Sequence, residues 1–266
     1  MPIVAANGLS FHVQELGPRE GAAAPPPVTR SNGAAAPVVM LHGLLIGSLA
    51  SWYFTAAPAL SRARKVRMFD LRGHGRSERA PRGYDTRTMA RDLDALTADL
   101  DQPFDLVGHS WGALVSLRFA IERPERVRSL ALVEAPLPPA RFAEETGFLS
   151  RTPAEMIDAL PDPLKSVMAS GRRQAAKLLD SLRFLAIDST LLADLRAEGD
   201  LDDDELRAIA APTLLLYGDR SSCRHAGERL ARTMPRARLQ ILEGGHYLHL
   251  DARGPLTAAL EHHLDG

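Results

Sequence analysis

The sequence predicts an α/β fold in which a mostly parallel sheet is covered by helices on both faces. Three observations support this prediction. Short apolar runs alternate along the chain with segments of helical periodicity. The apolar runs are nearly continuous, as expected for strands that are buried on both faces. The chain has 266 residues, which is enough for one large domain with a well-buried core.

The N-terminal half contributes five predicted strands and three predicted helices. Residues 9–16 (LSFHVQEL) alternate loosely between polar and apolar side chains and predict the first strand. The next four strands are predicted at VVML (38–41), VRMFDL (66–71), FDLV (104–107) and VRSLALVE (127–134). Helices are predicted between them at residues 51–63, 86–100 and 111–122. The last of these helices should stop at Arg123-Pro124, because proline cannot continue a helix.

The alternation stops after residue 135 and resumes after residue 210. The intervening segment, 136–210, has Leu, Met and Phe at helical spacings, three prolines and no convincing strand. Two strands and two helices follow, at 213–217 (TLLLY), 224–233, 237–242 (ARLQIL) and 255–264. We therefore expect residues 1–135 and 211–266 to form the core, with 136–210 as a helical insertion over it.

Composition and charge set limits on the partners and the compartment of the protein. Thirty-two basic and 33 acidic residues give a net charge of −1, which favours neither nucleic acid nor an anionic membrane as a partner. The N-terminus has no signal-peptide pattern, and no apolar run is long enough for a membrane span. The one cysteine, Cys223, excludes an internal disulfide and is expected to be a packing residue. We expect a cytoplasmic protein acting on a small molecule; the sequence leaves the oligomeric state open.

A Pro-, Gly- and Ala-rich stretch interrupts the N-terminal half. Residues 18–36 within it are expected to form a flexible surface loop that takes no part in catalysis.

The strongest chemical signal is Gly108-His109-Ser110-Trp111-Gly112, between a predicted strand and a predicted helix. This is the G-x-S-x-G pattern in the strand–turn–helix setting that a nucleophile elbow requires. The tight turn needs glycine two residues before and two residues after the serine, and it leaves the hydroxyl exposed. A simple Gly/Ser turn is the alternative. We expect Ser110 to be a nucleophile.

A serine nucleophile needs a base and an oxyanion hole. His246 follows the last predicted strand on a Gly-Gly turn, which lets its imidazole reach back over the sheet. The peptide N–H of Trp111, at a helix N-terminus, and that of Leu44, in the loop after VVML, are the candidate oxyanion donors.

The other candidate histidines are expected to have structural and not catalytic roles. We expect His42 and His74 to shape their glycine-rich turns, and the side chain of His109 to point away from the site. His249, His262 and His263 lie in or near the last helix. No Cys/His cluster has the spacing of metal ligands, so no metal and no cofactor is expected.

The chain resembles the α/β-hydrolase superfamily. The resemblance lies in LHGLLIGS, FDLRGHGRS, LVGHSWGA, PTLLLYGD and EGGHYLHLD, which occur in the family's order. It covers roughly residues 9–135 and 211–266, and it implies an eight-stranded sheet, Ser110 as nucleophile, His246 as base and residues 136–210 as the variable cap. The cap contains Phe142, Phe148, Met156, Met168 and Phe184.

The resemblance leaves the catalytic acid open. Most members carry it as the second carboxylate of a G-D-x-D pattern after the strand here read as TLLLY, but this chain has Ser221 at that position. Some members place the acid one strand earlier, where this chain has Glu134 at the end of an apolar run. A carboxylate there is costly to bury without a purpose. Glu134 is therefore the first candidate and Asp219 the second; the alternative is that neither acts.

These features favour a serine hydrolase or acyl transferase acting on an ester or thioester with a sizeable apolar part. Ser110, His246 and Glu134 would form the triad, with Leu44 and Trp111 as oxyanion donors. Two alternatives stay open. One is cofactor-independent oxidation or cyclisation in a biosynthetic pathway, with His246 as base. The other is a non-catalytic binding protein on the same fold.

Overall fold

Eight strands form a single sheet in a computed structural model of the protein. The structure describes residues 2–18, 35–139, 147, 151–159, 162, 165–166 and 172–266. The strands are β1 (Ile3–Ala6), β2 (Leu9–Leu16), β3 (Val38–Leu41), β4 (Val66–Phe69), β5 (Phe104–His109), β6 (Val127–Val133), β7 (Thr213–Gly218) and β8 (Ala237–Leu242). Their order across the sheet is β1-β2-β4-β3-β5-β6-β7-β8.

The helices of the described residues are α1 (Ala50–Tyr53), α2 (Ala57–Leu60), α3 (Thr86–Leu96), α4 (Trp111–Glu122), α5 (Pro153–Asp158), α6 (Arg172–Arg183), α7 (Leu191–Ala197), α8 (Asp203–Arg207), α9 (Arg224–Thr233), α10 (Leu248–Asp251) and α11 (Arg253–Asp265). A 3₁₀ turn covers Pro124–Arg126, and a π-helical turn covers Phe184–Asp188.

The sheet is mostly parallel, as the sequence predicts. β3, β4, β5, β6, β7 and β8 pair in parallel, whereas β2 pairs antiparallel with both β1 and β4. The eight-stranded α/β prediction is confirmed. The carboxyl ends of the parallel strands lie at one edge of the sheet, where open α/β folds place their ligands.

The strand β1 has no counterpart among the strands that the apolar pattern predicts. It forms a hairpin with β2 through Asn7 and Gly8, whose φ angles are 46° and 76°. Two central residues with positive φ are typical of a tight hairpin turn, and Asn-Gly is the sequence signal for it. The Asn-Gly pair was therefore the sequence signal that could have found this strand.

Two apolar clusters cover the two faces of the sheet. One contains Leu93 of α3, Leu117 of α4 and Leu230 of α9. The other contains Trp52 of α1 and Leu260 of α11. Strand side chains belong alternately to the two clusters, which explains why the apolar runs of the parallel strands are nearly continuous.

The helical segment predicted at 51–63 contains two short helices, α1 and α2, with a break between them. Pro58 lies in the first turn of α2. Proline has no N–H to donate to a preceding turn, so one continuous helix across residues 54–58 would lose a hydrogen bond.

The described part of 136–210 holds four helices and the π-helical turn, and no strand. The prediction of a helical cap stays a prediction as to its role. Residues 19–34 lie outside the described residues, and so does most of the loop predicted at 18–36. Within the part of the chain that the structure describes, no helix has the length and apolar character needed to cross a membrane.

Candidate active site

Ser110 lies at the turn between β5 and α4 with φ 54° and ψ −121°. This is a positive φ for a residue with a side chain, and it costs of order 1–3 kcal/mol. The Ser110 peptide N–H donates to the Val133 carbonyl of β6 at 2.8 Å, which helps to hold the turn. Such a strained, well-supported serine is the conformation that the G-x-S-x-G pattern predicts.

The glycines around Ser110 are required by close backbone contacts. A Cβ on Gly108 would lie 2.4 Å from the Gly112 carbonyl oxygen, and one on Gly112 would lie 2.5 Å from the His42 carbonyl oxygen. Gly43, in the loop after β3, is equally confined: a Cβ there would lie 3.0 Å from the Ser110 Cβ. The loop that carries Leu44 therefore packs directly against the nucleophile elbow.

A chain of hydrogen bonds joins Ser110, His246 and Glu134. The His246 Nε2 lies 2.9 Å from the Ser110 Oγ, and the His246 Nδ1 lies 3.1 Å from the Glu134 Oε2. With the proton on Nδ1, the imidazole donates to the carboxylate and leaves Nε2 free to accept from the hydroxyl. The arrangement has the order and the distances of a nucleophile, base and acid.

Glu134 is fully buried and held by three groups. Its Oε1 accepts from the Gly218 peptide N–H at 2.6 Å, and its Oε2 accepts from the Ser221 hydroxyl in addition to His246. Like Ser110, it has a positive φ, 57°. Ser110 and Glu134, which directly follow the neighbouring strands β5 and β6, are therefore both backbone outliers at the site, where strain of this kind is commonly found.

Asp219 is directed elsewhere. Its Oδ1 accepts from the Gly244 peptide N–H at 2.8 Å and lies 3.4 Å from the Arg220 Nη1. The hydrogen bond from the Gly244 peptide N–H is the main cause that lowers the pKa of this carboxyl. Asp219 is exposed and shapes the turn that carries His246. The structure thus brings Glu134 to His246 and leaves Asp219 in the loop.

His42 and His74 bond to turn backbone, as expected of them. The His42 Nδ1–H donates to the Gly43 carbonyl at 2.7 Å, and its Nε2 accepts from the Leu71 N–H at 2.9 Å. The His74 Nε2 accepts from the Leu45 N–H at 2.8 Å. Burial lowers the pKa of both rings, that of His74 to about 3, which keeps them neutral in these roles.

Sequence reasoning missed Asp70, a buried carboxylate that ties these loops together. Its Oδ1 accepts from the Leu49 N–H at 2.7 Å, and its Oδ2 accepts from the Arg76 N–H and contacts the His12 Nδ1. The FDLRGHG segment gave the available signal, an Asp directly at a strand end.

The expectation that the His109 side chain points away from the site is wrong. Its Nε2–H donates to the His246 carbonyl oxygen at 2.8 Å, and the ring lines the cavity above Ser110. The ring thus lies towards the loop after β8, which carries His246. Burial is the main cause that lowers the pKa of His109 well below its ordinary value, with His249 and His246 adding to it. The neutral ring connects the turn at Ser110 to the backbone of His246.

A cavity of about 720 Å³ opens above Ser110. Leu44, Trp111 and His246 line it together with Ser110, and Pro136, Pro139, Arg151, Ala159 and Leu195 line it from the 136–210 segment. Met156 is buried in the apolar cluster and is not among the lining residues. Phe142, Phe148 and Met168 lie outside the described residues.

The cavity wall contains two buried polar atoms without a hydrogen-bond partner among the described residues. They are the Nε1 of Trp111 and the Nδ1 of His249. Burial lowers the pKa of His249 to about 4 and raises that of the neighbouring Tyr247 to about 12. His249 and Tyr247 are therefore neutral near pH 7.

Cys223 lies beside His246. Its Sγ is 3.7 Å from the His246 Nδ1, and its peptide N–H donates to the Ser221 Oγ at 3.0 Å. Glu134, Cys223 and His246 each offer one atom within 4.8 Å of the others, a separation that a metal ion could bridge. The buried side chain is in keeping with the packing role expected of it, but its position next to His246 was not visible in the sequence.

Comparison with known proteins places these features in a family context. The family model of the alpha/beta hydrolase fold matches residues 36–179, more than half of the chain. The chain is 32% identical over 229 residues to the dihydrolipoyllysine-residue acetyltransferase component of the acetoin cleaving system of Pseudomonas putida. That match covers 81% of this chain and only 60% of the Pseudomonas protein.

Two other similar proteins are matched over a larger share of their own length. The chain is 29% identical over 248 residues to the pimeloyl-[acyl-carrier protein] methyl ester esterase of Chromobacterium violaceum, covering 86% of this chain and 94% of the esterase. The solved structure of a membrane phospholipase A, a bacterial virulence factor, superposes with a TM-score of 0.78 and 25% identity. It covers all of this chain and 85% of the phospholipase chain.

Proposed function

The chain belongs to the α/β-hydrolase family of enzymes, and on that premise we propose that it hydrolyses a carboxylic ester or thioester through an acyl-enzyme on Ser110. The observation that carries this proposal is the continuous hydrogen-bond chain from the Ser110 Oγ through His246 to Glu134. A similarity to a methyl ester esterase and to a phospholipase supports an acyl substrate.

In the first half of the reaction, Ser110 attacks the acyl carbon of the substrate. The His246 Nε2, 2.9 Å from the hydroxyl oxygen, takes the proton as the new C–O bond forms. The tetrahedral intermediate then collapses and expels the alcohol or thiol, which receives that proton from His246. Ser110 is left as an ester of the acyl group.

Glu134 acts on the reaction through His246. The carboxylate accepts the Nδ1 proton and so selects the tautomer whose Nε2 can act as a base. When the imidazole becomes an imidazolium, the negative charge 3.1 Å away stabilises it. The Gly218 N–H and the Ser221 hydroxyl hold the carboxylate in place and replace the water that its burial excludes.

The peptide N–H groups of Leu44 and Trp111 bind the oxyanion of the intermediate. Trp111 begins α4, where peptide N–H groups point out of the helix and favour negative charge. Leu44 follows Gly43, where an added Cβ would lie 3.0 Å from the Ser110 Cβ, and this closeness supports a place for the loop beside the attacked carbon. Both residues line the cavity with Ser110.

In the second half, water enters the cavity and takes the place of the departed alcohol or thiol. His246 removes a proton from the water, the hydroxide attacks the acyl carbon, and the proton passes to the Ser110 Oγ as the ester bond breaks. A second alcohol or thiol in place of water would give acyl transfer by the same steps.

The cavity wall favours an acyl or leaving group with a sizeable apolar part and a few polar atoms. Its lining is mainly Leu, Ile, Pro, Ala and aromatic side chains, with serine and threonine hydroxyls among them. Arg151 is the only permanently charged side chain among the described lining residues. A substrate with an anionic group remote from its ester or thioester bond would fit this wall.

The test is labelling by a fluorophosphonate probe together with turnover of short acyl esters. The wild-type protein should be labelled at Ser110, and Ser110→Ala should lose labelling and several orders of magnitude of turnover, as removal of a triad member does. Ser222→Ala is the matched control, because Ser222 lines the same cavity without joining the hydrogen-bond chain. Full turnover in Ser110→Ala, or labelling at another residue, would refute the proposal. Absence of labelling in a folded wild-type protein would favour a non-catalytic role.

A further inference from the structure

The side chains of Glu134, Cys223 and His246 form a cluster that the proposed reaction does not fully use. The Nδ1 of His246 lies 3.1 Å from the Glu134 Oε2 and 3.7 Å from the Cys223 Sγ, and the three ligand atoms lie within 4.8 Å of one another. Catalysis needs the first contact and has no use for the thiol. A carboxylate, an imidazole and a thiol are also the three side chains that bind zinc.

The distances among the three ligand atoms also fit a bound metal ion. An ion at the centre of a triangle with these sides would be about 2.4 Å or less from each atom, close to the ~2.0–2.3 Å of zinc bonds to nitrogen, oxygen and sulfur. In tetrahedral coordination, neighbouring ligand atoms are about 3.3–3.6 Å apart at such bond lengths. The separations of 3.1 Å and 3.7 Å around Nδ1 need only small shifts to meet this geometry.

We propose that Glu134, Cys223 and His246 form an inhibitory site for a thiophilic divalent cation of the zinc type. Water or the Ser221 hydroxyl, which is already bonded to Glu134, supplies a fourth ligand. Binding itself does not depend on the proposed function; the inhibition rests on it, because the ion occupies the nitrogen that the triad needs.

Binding at Nδ1 blocks the base by fixing the wrong tautomer. The ion takes the Nδ1 lone pair, so the imidazole proton must lie on Nε2, and a protonated Nε2 cannot accept the hydroxyl proton of Ser110. The ion also neutralises the Glu134 carboxylate that would stabilise an imidazolium. The proton balance is simple: the Cys223 thiol releases its proton to solvent, and the His246 proton passes from Nδ1 to Nε2.

Cys223 decides which ions can bind. Without a thiolate, a histidine and a carboxylate make a weak site that many divalent cations share, whereas sulfur selects zinc and similar ions over Mg²⁺ and Ca²⁺. The Glu134 and Cys223 side chains are buried, so the ion must enter past His246, which is 17% exposed and lines the cavity.

The direct test is cobalt spectroscopy on the full chain. Co²⁺ added to the wild-type protein should give a thiolate-to-cobalt charge-transfer band and tetrahedral d–d bands, and Zn²⁺ should displace it. Cys223→Ala should lose the charge-transfer band, and Cys223→Ser should do the same while keeping the volume of the side chain. Thermal unfolding of both variants tells whether they remain folded. A wild-type protein without the thiolate band would overturn the proposal.

The functional test compares inhibition by Zn²⁺ and by Mg²⁺ in the ester assay. Zn²⁺ should inhibit the wild-type enzyme reversibly, with activity restored by a chelator, and Mg²⁺ should have no effect at the same concentration. In Cys223→Ala, we expect the uninhibited activity to stay close to wild type and the inhibition constant for Zn²⁺ to rise by roughly 100-fold. Equal inhibition of the variant and the wild type would overturn the site. A cobalt band in a protein without esterase activity would instead refute the proposed function and keep the metal site.

Discussion

Glu134→Gln is the variant that best tests whether the acid lies on β6. The glutamine can keep its carbonyl oxygen towards the Gly218 N–H, which donates to the Glu134 Oε1 at 2.6 Å. Its amide nitrogen then takes the place of Oε2 and donates to the His246 Nδ1. The imidazole must accept there, so its proton moves to Nε2 and the base is lost. The change therefore removes a charge and reverses a tautomer with almost no change in shape.

The size of the effect follows from the distance to His246. Two unit charges about 4 Å apart interact by about 4 kcal/mol at an effective dielectric constant near 20. The carboxylate is fully buried and 3.1 Å from Nδ1, so little solvent screening reduces this figure. A loss of about 4 kcal/mol from the transition state is about a 1000-fold loss in kcat. The wrong tautomer adds to it, which brings the expectation to about 10³–10⁴-fold.

The assay is steady-state hydrolysis of an activated acyl ester, with Asp219→Asn as the matched control. Asp219 is exposed, and an asparagine carbonyl can still accept from the Gly244 N–H, so that variant should stay within about threefold of wild type. The loss in Glu134→Gln should appear in kcat with KM little changed, because the carboxylate does not touch the substrate.

Two outcomes would refute this reasoning. One is a Glu134→Gln protein that is folded, by its thermal unfolding, and turns over within tenfold of wild type. The other is a greater loss in Asp219→Asn than in Glu134→Gln, which would place the acid in the loop after β7. Combining Ser110→Ala with Glu134→Gln should cost no more than Ser110→Ala alone, since the residues act as a unit.

Two further predictions concern acid stability and substrate charge. Burial lowers the pKa of His74 from 6.5 to about 3 and that of His249 to about 4. The unfolded chain therefore takes up protons below pH 6.5 that the folded chain refuses, and each ring should lower the free energy of unfolding by about 1.4 kcal/mol per pH unit down to its folded pKa. Urea unfolding that is unchanged between about pH 6.5 and pH 4.5 would contradict this. For Arg151→Gln, kcat/KM for an ester with a remote carboxylate should fall about tenfold relative to its neutral analogue; an unchanged ratio would remove Arg151 from substrate recognition.

The elements that the sequence predicted well carry their own boundary signals. Helix α4 (Trp111–Glu122) begins at the Gly-flanked turn and ends before Pro124, and its bounds agree with the prediction. Strand β8 (Ala237–Leu242) likewise has its predicted bounds. The hairpin strand β1 (Ile3–Ala6) was missed because its apolar run is only four residues long, and the structure leaves that run largely exposed at the edge of the sheet.

The site residues also divide into those that local sequence motifs indicate and those that only the folded structure brings together. Ser110 and His246 could be chosen from local motifs, and Glu134 from a carboxylate at the end of an apolar strand. The neighbours of Glu134 could not be chosen so, because Ser221 and Cys223 reach it only through the pairing of β6 with β7. The contact of His109 with the His246 carbonyl depends on the path of the loop after β8, which no periodicity describes.

The pairing of β5 with β6 fixes Ser110 and Glu134 relative to each other, whereas His246 is carried by a loop. His109 pairs with Val133, so Ser110 and Glu134 each follow directly after one pair of the ladder. Peptide hydrogen bonds therefore set the distance between nucleophile and carboxylate, and loop fluctuations leave it unchanged. His246 instead stands on a loop that passes through Gly244, with φ 150°. His109 and Asp219 hold this loop at the His246 carbonyl and the Gly244 N–H, so a tilt of the imidazole towards a leaving group would come from its own side-chain torsions while the two oxygens stay in place.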